Sequence, residues 1–145
     1  MSIFDAPLTG SARRLDLIGR VLLALLSLST IYAFVDGLRL VAEAGDDRVW
    51  IEFWRTTAYL VFVGLFAMMA IAPRTRWGLW ELVFGQKLAV TIFGLMNFDV
   101  NEAKRDATTD LVLVIVIAIA YFLCRGWYTW RSTARVSLDT SGVSR

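Results

Sequence analysis

Apolar runs of bilayer length recur four times along this chain, at about residues 15–35, 53–72, 79–98 and 110–128. A membrane-spanning helix needs about 20 such residues at about 1.5 Å of rise each, and in hydrocarbon its backbone must satisfy its own hydrogen bonds. The pattern predicts an all-α membrane protein, a four-helix antiparallel transmembrane bundle over residues 15–131. With 57% hydrophobic and 19% charged residues in 145 positions, there is room for one membrane domain.

The charges between the runs set an orientation. Arg13, Arg14 and Arg20 flank the first run, Arg74 and Arg76 sit between the second and third, and Arg125, Arg131 and Arg135 follow the fourth. The two other connections are acidic, with Asp36, Glu43, Asp46, Asp47 and Glu52 in one and Asp99, Glu102, Asp106 and Asp110 in the other. Short loops rich in arginine stay inside, so both termini are expected in the cytoplasm. Residues 1–14 read as a cytoplasmic leader and 132–145 as a disordered cytoplasmic tail. A basic flank before an apolar run also marks signal peptides, but no small-x-small cleavage site stands near Ala33, which favours an uncleaved anchor.

Connections and helix ends follow from composition. Leu38, Leu40 and Val41 carry the first helix past the membrane, with Gly45 as its expected cap, and Pro73 stops the second. The stretch from Asp99 to Asp110 reads as a polar loop, with Thr108 or Thr109 capping the fourth helix. As a calcium loop it fails, because Lys104 stands where the sharp turn needs glycine. Small residues four apart, Ser29, Ala33 and Gly37 on the first helix and Gly85 and Ala89 on the third, mark possible close packing seams. Trp50, Trp54, Trp77, Trp80, Trp127 and Trp130 stand near the expected interfaces as anchors.

One polar point interrupts the third run. Lys87, beside Gln86, lies near its middle, where a lysine costs about 2.5–3.5 kcal/mol unless it is turned inward and paired. Its carboxylate must come from another helix, because Glu81 is about 240° round the same one; Asp36 and Asp110 are the available acids, each placed shallow, near an outer end. Glu81 itself is expected to pair at the interface with Arg20, Arg74 or Arg76. Asn97 closes the third run as a further polar group.

Other chemistry is excluded by what the chain lacks. It has no histidine, which removes imidazole-ligated haem or zinc and histidine-based nucleophile activation, and no metal site is expected. Its single cysteine, Cys124, cannot form an internal disulfide or a redox pair. The basic residues bracket apolar runs without forming a stripe, which argues against nucleic acid. No catalytic constellation stands out, and the chain reads more as a non-enzyme than as an enzyme.

The first-run opening Leu17-Ile18-Gly19-Arg20-Val21-Leu22-Leu23 and the third-run start Gly78-Leu79-Trp80-Glu81-Leu82, followed by Gln86-Lys87, resemble DoxX-like small four-helix bacterial membrane proteins. That resemblance implies a multi-pass protein of the bacterial inner membrane, in some relatives a subunit linked to quinone reduction or to oxidative-stress assemblies. Three functions follow as expectations. The first is an accessory or interaction subunit of a larger membrane complex or homo-oligomer, with no cofactor and with membrane lipid around it. The second is an enzyme or redox-linked subunit that binds a quinone, with Lys87, Gln86 and either Asp36 or Asn97 about the ligand, which requires a pocket reaching Lys87. The third is a proton path or small transporter, for which broken helices or repeated halves are not visible.

Overall fold

A computed structural model describes residues 10–130 of the chain. The expected tail, most of the leader, Arg131 and Arg135 lie outside those residues. Four helices form: α1 (Ser11–Glu43), α2 (Val49–Ile71), α3 (Leu79–Met96) and α4 (Asn101–Leu123). All four are long and apolar enough to cross a bilayer, and the chain is a multi-pass membrane protein. Only 17–28% of each apolar window is buried within the bundle, so most of its side chains face outward. In water that would be an aggregation surface; in lipid it is the required one.

The helices run up and down in a ring. α1 packs on α2, α3 on α4, and α1 against α4 closes the circle; α2 and α3 touch least, and no diagonal pair meets at backbone distance. One end, here called proximal, carries the start of α1, the end of α2, the start of α3 and the end of α4. The distal end carries the opposite termini. The apolar core, Leu23, Leu26, Phe66, Met69, Trp80, Val83, Ile117, Ala120 and Cys124, occupies the proximal half.

Several expected boundaries move: α2 starts at Val49, ahead of the expected 53, and α4 ends at Leu123, short of the expected 128. Ser11–Arg14 of the presumed leader already belong to α1. More consequentially, the stretch expected as a loop from Asp99 to Asp110 is helical from Asn101 onward. Ala103, Lys104, Arg105 and Ala107 are good helix formers, and no glycine or proline interrupts them. Thr108 and Thr109 cap nothing; their hydroxyls donate back to the carbonyls of Lys104 (2.8 Å) and Arg105 (3.0 Å) within the helix. α1 ends close to expectation, at Glu43, with Ala44 rather than Gly45 in the capping position.

Glycines bring the helices together. A Cβ on Gly37 would lie 2.5 Å from Thr56 Oγ1 on α2, on Gly19 2.5 Å from Cys124 Sγ, and on Gly94 2.6 Å from the Ala107 side chain on α4. Gly37 thus fills a seam position, while Ser29 and Ala33 of the same predicted row line a cavity instead. Gly85 faces open space and Ala89 is exposed, so the row predicted on α3 is not a seam within the bundle.

The proximal end is tied by a side-chain clasp. Arg20 Nε donates to Asp16 (2.8 Å), and its Nη1 donates to the carbonyls of Ala70 (3.2 Å) and Ile71 (2.6 Å) at the end of α2. Arg74 donates to the other oxygen of Asp16 and to the carbonyl of Cys124 (3.0 Å) at the end of α4. Helix C-termini leave carbonyls without intrahelical donors, and two arginines here supply them. α4 then closes in a Schellman turn, with Gly126 N–H on Tyr121 O (2.8 Å) and Arg125 N–H on Phe122 O (3.2 Å). Arg125 takes the left-handed position (φ 55°) that glycine usually fills. Gly126 is needed one residue later, where a Cβ would collide with the Tyr121 ring.

Candidate functional site

The distal half of the bundle is not filled by apolar side chains. α2 and α3 touch least of the neighbouring pairs, and a cavity of about 430 Å³ lies between the four helices. α1 contributes Ser29, Thr30 and Ala33; α2 contributes Trp54, Arg55, Ala58, Tyr59, Phe62 and Phe66; α3 contributes Gln86, Lys87 and Val90; α4 contributes Arg105, Asp106, Thr109, Asp110 and Leu113. The helical period explains each row, since positions 55, 59, 62 and 66 of α2 and 106, 109, 110 and 113 of α4 fall on one face of their helices.

At the inner end of this cavity Lys87 Nζ donates to Asp110 Oδ1 at 2.8 Å. Both side chains are nearly buried, at 10% and 11% exposure. The ammonium also lies over the face of Phe62, 4.4 Å from the ring centre. Asp110 is not shallow, as a helix start at that point would make it. Because α4 begins at Asn101, Asp110 is roughly two and a half turns inside it, level with the middle of α3. Thr91 is satisfied separately, its hydroxyl donating to the Lys87 carbonyl (2.8 Å).

A second ionic layer lies nearer the distal end. Arg55 of α2 donates to Glu52 on its own helix and reaches across the open diagonal to Asp106 of α4 at 4.0 Å. Arg105 lies 3.6 Å from Asp106, and Arg48 donates to Glu52 at 3.0 Å. Asp106 and Asp110, four residues apart, share a face of α4, so the two layers are stacked about 6 Å apart along the helix.

The other sequence-predicted residues scatter. Gln86 is exposed and lines the cavity beside Lys87. Asp36 is exposed on α1, outside the cavity lining. Asn97 caps α3, its amide donating to the Phe93 carbonyl (2.8 Å). Among the described residues Glu81 pairs with no arginine; it accepts from Trp130 Nε1 at 2.6 Å, while Arg20 and Arg74 are taken by Asp16. Trp50, Trp54, Trp77 and Trp130 are exposed, Trp127 stacks on Tyr128, but Trp80 is only 2% exposed and donates to the Pro73 carbonyl (2.8 Å). It is a core residue that pins the α2–α3 turn, not an interface anchor.

Sequence reasoning missed Asp16, Arg55, Tyr59, Phe62 and Asp106 as members of ionic or cavity layers. Asp16 could have been found as an acid inside an apolar run, four residues before Arg20. The cavity residues carry no such signal, because their polarity resembles that of an ordinary helix end.

A second, smaller groove of about 270 Å³ lies between α3 and α4, lined by Trp80, Glu81, Phe84, Ile117, Ala118, Tyr121 and Phe122. It offers little polar chemistry beside Glu81. Among the described residues no three Cys, Asp or Glu side chains are grouped to hold a metal ion. The fold and site together define a four-helix membrane protein with a buried ion pair at the bottom of a cavity. No family model, curated protein or solved structure matches the chain.

Proposed function

We propose that this chain is a binding protein of the bacterial inner membrane, holding the oxygen-bearing ring of a lipid-soluble ligand of the quinone class against Lys87. The observation that carries this reading is the cavity of about 430 Å³ ending on the Lys87–Asp110 pair. Its size lies within the range of small-molecule sites, and it combines aromatic walls with a few convergent polar groups. Lys87 has donor capacity left after Asp110, and a ligand oxygen can take it. Phe62, Tyr59 and Trp54 offer faces for a flat ring. The least-packed seam, between α2 and α3, leaves a side exit for an apolar tail.

The resemblance of residues 17–23 and 78–87 to DoxX-like proteins runs the same way. So does the charge pattern, which favours termini and proximal end in the cytoplasm and the cavity mouth on the outer side. A role as accessory subunit draws on the outward apolar faces, and a bilayer alone already requires those. A through-going proton path is disfavoured by the apolar core that fills the proximal half.

The test is extraction of the native protein in mild detergent, with bound small molecules identified by mass spectrometry. A stoichiometric quinone-class ligand is expected, and it should be lost from a folded Lys87→Met/Asp110→Leu protein. Recovery of a stoichiometric larger complex with no such ligand would return the accessory-subunit reading.

A further inference from the structure

The proposed site has a direction to its chemistry that follows from which hydrogen-bonding capacity remains. Lys87 gives one N–H to Asp110 Oδ1 and sets another part of its charge over Phe62. An ammonium has three donors, so it can still give one to a ligand. Among the described residues Asp110 receives Lys87 through Oδ1 alone and no donor reaches Oδ2, yet Oδ2 is not among the side-chain atoms sealed from contact without a partner. A spare donor and a spare acceptor therefore belong to adjacent groups lining one cavity.

Charge in the wall narrows the ligand further. Arg55 is bridged to Glu52 and Asp106, Arg105 lies against Asp106, and Lys87 is held by Asp110. Each cation and each carboxylate of the lining thus already meets a group of opposite sign. An added anion or cation reaching the nearly buried Lys87–Asp110 pair would find no free counter-charge there. An uncharged ligand meets no such cost.

We infer that the site selects an uncharged ring bearing a hydroxyl, a quinol or phenol, over the corresponding carbonyl form. A single hydroxyl accepts from Lys87 Nζ and donates to Asp110 Oδ2. A quinone carbonyl can only accept, and it leaves the carboxylate oxygen facing an acceptor. This inference rests on the quinone-class reading of the cavity. Hydrogen bonds to charged groups are stronger than neutral ones, and losing a donor to a nearly buried carboxylate lowers affinity by about tenfold or more.

The experiment titrates the purified full-length protein in detergent with three short-tailed probes of equal skeleton: a benzoquinol kept reduced, its benzoquinone, and the quinol dimethyl ether. The expected result is that the quinol binds at least about tenfold tighter than either other probe. In Asp110→Asn the quinol's advantage should disappear. The dimethyl ether makes the same comparison in the unaltered protein, so the inference stays testable if that variant does not fold. Equal binding of quinol and dimethyl ether, or tighter binding of the quinone, overturns the inference while leaving the cavity a quinone-class site. Binding of none of the three overturns that reading, and the inference with it.

Discussion

An ammonium and a carboxylate held away from water are stable only as a pair. Lys87 and Asp110 are about nine-tenths buried, and removing either leaves the other charge without its partner. Asp110→Leu or Lys87→Met alone is expected to destabilise the bundle by about 3–5 kcal/mol, whereas the double variant should recover most of that loss. A double-mutant cycle on thermal unfolding in one detergent measures it. Additive losses would show that the two side chains do not meet. The sequence exposed Lys87 because a cation in mid-run is costly unless it is turned inward and paired. It offered Asp110 only as one of two shallow acids, because the depth of that residue depends on where α4 begins, and that start lies among residues polar enough to pass for a loop.

At the scale of the helix, close packing depends on which glycines meet a neighbour. α3 contains two that differ. Gly94 abuts Ala107 and the Ala103 carbonyl of α4, while nothing lies within 4 Å of a Cβ at Gly85. Gly94→Val should force α3 and α4 apart and cost about 1–3 kcal/mol. Gly85→Ala should be neutral or stabilise by up to about 1 kcal/mol, since alanine is the better helix former. Unfolding of the two variants side by side checks the contrast, and equal effects would mean that α3 is rotated from its described facing. The four helices were legible from run length and breakers, because hydrocarbon demands about 20 apolar residues whatever the fold. Their facing was not. In lipid, outward and inward positions are alike apolar, so periodicity separates them poorly, as the exposed Gly85 and the buried Trp80 both illustrate.

Across the whole molecule, the two halves of the bundle differ in kind. The proximal half is filled by Leu23, Phe66, Met69, Val83 and Ile117 and tied by the Asp16–Arg20–Arg74 clasp. The distal half encloses the cavity. Access to Lys87 should therefore be one-sided. Thr30 and Ser27 on α1 test this, for both are 8% exposed hydroxyl residues less than a turn apart, and only Thr30 lines the cavity. Ser27 instead donates to the Val63 carbonyl at 3.0 Å, in the α1–α2 seam. In a Cys124→Ala background, Thr30→Cys should react with a membrane-impermeant thiol reagent applied to the outer face, and Ser27→Cys should not. Reaction from the cytoplasmic face alone would reverse the proposed orientation while keeping the one-sided cavity. Reaction from both faces would mean that the proximal core is no barrier, and the proton-path reading would regain its ground. Protection of Thr30→Cys from both faces would place the cavity's opening in the bilayer, between α2 and α3, where a lipid-soluble ligand could enter without crossing water.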